Sequence, residues 1–413
     1  MEDEVIHDYA VYSQHIANQS ILSNGYEDAE WKDEITEKDV ATQPDKKATQ
    51  QPVCRLSLLS SNIQADLETS LRYFLTKRLE KMHPLEGSGN IIAIPAGKVY
   101  DQNAMVYFYS MDEESSESLS DNSTEGQRNS EDPKRSFLVC FIAVIETGLE
   151  LFQNELDNYC KQLSPYIHKY MESVDVSEYL KRLEAWYDSN ICYIQRCFSY
   201  LSEELSTILF TVFVGDEIEL KDLPEDIKHD LEIFISCCSL SELLQDRNLK
   251  DDTELSTSLN SQSTLANETS LVVKYSEETL ELSSQRTNPF CQDCVKSMRQ
   301  LGQCNPFKLR QVIENYKLKV IQDMNTFKRL TKQAETDYYA LYRSFAFLLT
   351  CDNGEVLLRN AKTQFDEEDS ASFKDVLNVI QRFVDNRNGF ENIYKQERQS
   401  KIKSQNLLRL LHC

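Results

Sequence analysis

The segment from Cys304 to Cys351, CNPFKLRQVIENYKLKVIQDMNTFKRLTKQAETDYYALYRSFAFLLTC, constrains the fold more than any other. Asn305 suits an N-cap and Pro306 the first helical position, where its missing N–H costs nothing. Leu309, Val312, Ile313, Tyr316, Val320, Met324 and Phe327 recur every three or four residues, the period of one helix face. Lys308, Arg310, Lys317, Lys319, Asp323 and Lys328 fall mostly on other positions. Past Leu330 the apolar content rises through Tyr339, Leu341, Tyr342, Phe345, Phe347 and Leu348, as expected of an end buried on more than one side. Asn353-Gly354 is a turn signal that stops the pattern. The spacing predicts a core helix or helix pair of an α-rich domain, and it contains no catalytic motif. One face can equally serve a partner. Leu309, Val312, Tyr316, Met324 and Phe327 are the candidate protein-interaction residues.

Upstream, the periodicity changes. Asp8–Ser13 reads as a short strand. Ser61 opens a helix with capping-box spacing to Gln64, carrying Leu67, Leu71, Phe74, Leu75 and Met82 and ending at His83-Pro84. Asn90–Ile94 and Ala104–Tyr109 read as strands joined by a turn near Pro95 to Gly97. The continuous apolar run Phe137–Ile145 suits a central strand buried on both faces. After Thr147-Gly148 a helix carries Leu149, Phe152, Leu156, Tyr159 and Leu163. The expectation is an α+β protein, predominantly helical, with a small N-terminal mixed sheet of the longin or roadblock type, one N-terminal strand being missing from that pattern.

From Val176 the pattern is helical, with a long face from Leu180 through Trp186 and Ile194 to Leu209. Pro224 opens a further helix bearing Ile227, Leu231, Phe234, Ile235 and Leu240, and Phe373–Val384 forms one more. Segments 19–52, 111–134 and 247–288 are polar, acidic or Ser/Thr-rich; they cannot bury enough surface to offset their ordering entropy and are expected to be disordered. The expected organisation is a small α+β domain over 1–172, a helical region over 173–246, the linker 247–288, a helical domain over 289–390 and a basic, leucine-bearing tail over 391–413. That tail is the second candidate for interaction.

Composition narrows the function classes. The chain has 413 residues and a net charge of −24. Such acidity opposes general binding to nucleic acid or anionic membrane, where phosphate attraction would be reversed. Residues after Met1 lack a basic and apolar leader pattern, and the longest apolar run falls far short of the ~20 residues that span a bilayer. A cytosolic protein without a transmembrane segment is expected, its twelve cysteines reduced. The triplets at Asn18, Asn122 and Asn267 are then chance glycosylation matches.

Chemistry-bearing patterns are sparse. Cys291 and Cys294 form a CxxC followed by Cys304, but a structural zinc site usually needs four N/S ligands and the fourth is missing locally. The six histidines, at 7, 15, 83, 168, 229 and 412, share no metal-ligand spacing. Gly87 and Gly89 precede a strand, whereas a phosphate loop needs a helix N-terminus behind it. Asp251-Asp252 and Glu367-Glu368 lack the apolar setting that raises a carboxyl pKa for acid catalysis. No enzyme activity, metal or cofactor is expected.

Three stretches carry a resemblance: LRYFLTKRLEKMHPLEGSGN (71–90), GLELFQNELDNY (148–159) and NPFKLRQVIENYKLKVIQDMNTFKRLTKQAETDYYALYRSFAFL (305–348). In this order they are similar to the Njmu-R family. The resemblance implies the small third subunit of a complex with a WD-repeat β-propeller protein and a FAM-ninety-one-type subunit at the trans-Golgi network. With a Rab-GAP-like bridging protein, that complex helps golgins capture endosome-derived carriers made with a clathrin adaptor. It also implies a role in spermatogenesis, so a nuclear or germ-cell scaffold without a Golgi role is the alternative. No contact residue carries over from the family.

Overall fold

A computed structural model describes residues 7–17, 53–81, 87–95, 103–112, 136–144, 148–171, 176–244, 270–276, 279–301, 305–364 and 372–386. The chain divides into two compact units, Met1–Cys192 and Tyr193–Cys413.

The first unit runs β1 (His7–Ala17), β2 (Val53–Ser61), α1 (Ala65–Leu79), β3 (Asn90–Pro95), β4 (Asn103–Asp112) and β5 (Ser136–Val144). A 3-10 turn, Leu149–Phe152, then leads into α2 (Gln153–Met171), α3 (Val176–Glu184) and α4 (Trp186–Asn190). The five strands pair in the order β2-β1-β5-β4-β3. Every pairing is antiparallel, so the expected mixed sheet is corrected. The strand missing from the sequence pattern is β2. Ser61 ends that strand instead of capping a helix; α1 starts after Gln64, which makes no side-chain cap.

β5 is central, as its apolar run predicts. Its side chains alternate between the two faces. Leu138, Cys140 and Ile142 join the core beneath Leu67, Leu71, Leu75 and Leu79 of α1. Phe74, expected on that face, is instead partly exposed, and Met82 lies outside the described residues. On the other face Phe141 stacks on Trp186 of α4 with ring centroids 4.9 Å apart, and on Tyr107 of β4 at 6.1 Å. Tyr107 Oη donates to Asp157 Oδ1 at 2.6 Å, and the Gly89 N–H donates to the same oxygen at 2.8 Å. Burial, with Cys160 and Asp157 adding, holds the Tyr107 phenol far above its usual range, so it stays a donor. This pins the start of β3 to α2.

The second unit contains α5 (Tyr193–Leu201), α6 (Leu205–Val214), β6 (Ile218–Lys221), α7 (Glu225–Cys238), α8 (Ser241–Leu244), β7 (Leu271–Ser276) and β8 (Thr279–Leu282). It continues with α9 (Pro289–Arg299), α10 (Pro306–Ala334), α11 (Tyr338–Thr350), α12 (Gly354–Gln364) and α13 (372–386). All ten residues of α6 are buried, the behaviour of a helix that is apolar all round. Gly215 closes it in the left-handed conformation at φ +82°, donating to Thr211 and Val212 carbonyls, and Asn360 of α12 donates to Phe213 O at 2.7 Å.

β6 pairs parallel to β7, and β7 antiparallel to β8. Two of these strands lie in the expected linker 247–288, which is thereby corrected in its C-terminal part; 245–269 lies outside the described residues. The long face expected from Val176 is broken into four short helices, of which α3 and α4 belong to the first unit. Asn353-Gly354 does end a helix, but Gly354 immediately starts α12. The expected disordered segment 19–52 and tail 391–413 lie outside the described residues. So does most of 111–134, although Met111 is buried in β4.

Candidate interaction surface

The long amphipathic segment folds as the pair α10–α11, split at Glu335 to Asp337. Asn305 caps α10, its Oδ1 accepting the Lys308 N–H at 3.1 Å, with Pro306 at the first turn. Among the sequence-derived interaction residues, Leu309, Met324 and Phe327 are buried, Met324 at 1% exposure and Phe327 at 0%. They belong to the second unit's own core. Val312 and Tyr316 are half-buried. Tyr316 Oη donates to Asp293 Oδ2 at 2.6 Å and its ring meets Phe290 at 5.0 Å, so it joins α10 to α9. The five residues therefore do not form one open surface.

Two cations expected off the core face are also buried. Arg310 donates to Tyr193 Oη at 3.2 Å and touches Cys237; Lys317 Nζ donates to Cys237 O at 2.7 Å. Both pair with Glu314 Oε1 at 3.2 Å. Paired and hydrogen-bonded, these charges can be buried at tolerable cost. Positions 310 and 317 are in step with Ile313, Val320, Met324 and Phe327, at intervals of three and four residues, so their charge and not their spacing set them apart in the sequence.

The open surface lies on α11. Ala340, Ser344 and Leu348 face inward, and Ser344 Oγ donates to Ala340 O at 2.9 Å. The large aromatics turn outward: Tyr338 is 90% exposed, Tyr339 67% and Tyr342 64%. Asp337 Oδ1 caps the helix by accepting the Tyr339 N–H at 2.8 Å. The Tyr339 and Tyr342 rings stack at 6.4 Å, and Phe345 meets Phe383 of α13 at 5.7 Å. The small residues at 340 and 344, one turn apart, were the available signal for which face packs inward.

The CxxC sits in α9 with both thiols buried. Burial, with Asp293 adding, pushes the Cys294 thiol up to about 12. Among the described residues no three His, Cys, Asp or Glu side chains are placed to hold a metal, and Cys304 lies outside those residues. No single helix among them is long and apolar enough to cross a membrane.

These features define an α+β protein, mostly helical, in which the most exposed apolar side chains among the described residues gather on one helix. The chain belongs to the Njmu-R1-like protein family, whose profile matches residues 22–386. It is 31% identical over 332 residues to Protein Njmu-R1 of Mus musculus, covering 80% of each chain. No solved structure matches it.

Proposed function

We propose that the chain is a non-enzymatic subunit of a cytosolic hetero-complex that supports golgin-mediated capture of endosome-derived vesicles at the trans-Golgi network. Its partners are a WD-repeat propeller subunit and a FAM-ninety-one-type subunit, with a Rab-GAP-like protein linking the assembly to golgins. Family membership along most of the chain is the observation that carries this reading. The solvent-facing aromatics of α11 are in keeping with it, since a subunit that works by docking needs apolar surface left uncovered in the isolated chain. Binding by such a surface requires no covalent chemistry.

The test is affinity purification of the tagged full chain from cells, with mass spectrometry of what accompanies it. Near-equal recovery of the two partner subunits, and localisation of the tagged chain to the trans-Golgi network, are expected. Their absence from well-expressed, soluble protein overturns the reading.

A further inference from the structure

Tyr338, Tyr342 and Leu349 are exposed at helical spacing on the outer side of α11, the half-buried Phe345 lies between the last two, and Phe383 extends the stripe from α13. At ~200 Å² per ring, the three tyrosines leave about 400 Å² in water. That is the size of the largest apolar patch on an ordinary monomer, and such patches are often functional. It is also enough to centre an interface whose remainder is polar. Tyrosine beside Arg343 is the composition of binding hot spots. The stacked Tyr339–Tyr342 pair is held by the helix before any partner arrives, which reduces the ordering cost of binding.

Charge selects the occupant. Residues 305–350 carry eight lysines and arginines against four aspartates and glutamates within a chain of −24; with the buried Arg310 and Lys317 and their partner Glu314 set aside, six cations face three acids. Arg329 and Lys332, near the end of α10, and Arg343 are exposed and form no ion pair among the described residues. The neighbouring acid Asp337 is engaged as the α11 cap. A second copy docking by the same stripe would set cations against cations. Residues 387–413, with six cations against two acids, would meet the same repulsion.

We propose that this stripe docks an acidic amphipathic segment of a different protein, its apolar residues covering Tyr338, Tyr342 and Phe345 and its carboxylates facing Arg343 and the α10 cations. An amphipathic helix laid along an apolar stripe is a recurrent way of recognising such segments. The inference rests on the chain being a subunit of a hetero-complex and names the surface it would use.

The test places the photo-crosslinker benzoylphenylalanine at Tyr342 in the full chain in cells, with Tyr73, an exposed tyrosine of α1, as the control position. The expected result is an adduct to one stretch of another protein rich in Asp and Glu, absent from the Tyr73 control and reduced about tenfold by Arg343→Glu. Adducts to this chain's own acidic segments, to its C-terminal tail, to a second copy or to lipid overturn the proposal, as does labelling no greater than at Tyr73. If the wild-type chain co-purifies with stoichiometric partners and Tyr338→Ser/Tyr342→Ser co-purifies with them equally, the stripe is wrong and the subunit reading stands. If the wild type brings down no partner, the subunit reading itself fails.

Discussion

At the scale of single residues, neighbours on the same helix pair have opposite tasks. Met324 is enclosed, so Met324→Ala is expected to cost about 2–5 kcal/mol of stability, read from the midpoint of urea unfolding, and Met324→Asp to unfold the second unit. Tyr342→Ser on the outer side of α11 is expected to stay within about 0.5 kcal/mol. Equal costs at the two positions would contradict this division. Tyr316 adds a pH-dependent contribution. Burial, and then its hydrogen bond to Asp293, raise its phenol to about 12. The protonated form is therefore favoured by folding; its stabilisation is complete below the ordinary tyrosine pKa of about 10 and is lost as pH rises from there towards 12. Tyr316→Phe removes the hydrogen bond and keeps the ring against Phe290. Unfolding measured at pH 7 and at pH 12 should show a stability gap between wild type and variant at the first value that narrows at the second.

At the scale of elements, the turn from α11 to α12 depends on the absence of a side chain. A Cβ on Gly354 would meet the backbone carbonyl oxygen of Leu348, an atom with no freedom to withdraw. Gly354→Ala is expected to destabilise the second unit by about 1–3 kcal/mol, measured by denaturant unfolding; a neutral result would mean the two helices can separate freely. The sequence makes Gly354 visible as a turn signal but not as a helix start, because its requirement comes from a contact across space. The same division runs through the fold. α10, β5 and α7 were legible from Asn305-Pro306, the apolar run Phe137–Ile145 and Pro224, each a local signal. β2 was hidden because only Cys54 and Leu56 alternate clearly inward, and Ser61 imitates a helix cap. β7, whose Leu271, Val272 and Val273 are good strand formers, was masked by Ser/Thr-rich surroundings. For the site, period alone picked out Leu309, Met324 and Phe327 as a face. Whether the chain itself covers such a face depends on residues far away in sequence, so the exposed stripe of α11 emerged only from the packing.

At the scale of the molecule, the first unit extends further than composition suggested. Trp186 is almost fully enclosed and stacks on Phe141 of the central strand. A fragment of residues 1–172 would expose that side of the sheet, whereas 1–192 keeps it covered. The longer fragment is expected to unfold cooperatively in urea with native near-UV dichroism, and the shorter to lose both; indistinguishable fragments would place the boundary earlier. The enclosure of α6 has a consequence for how the protein is made. That helix leaves the ribosome complete at Val214, but α12, whose Asn360 reaches Phe213, starts 140 residues later. At about 5–20 residues per second the nascent chain carries ten apolar-rich residues without their final cover for roughly 7–28 seconds. A chain truncated before Gly354 is therefore expected to leave part of α6 uncovered and to be degraded faster in cells than the full chain, as a pulse-chase comparison would show.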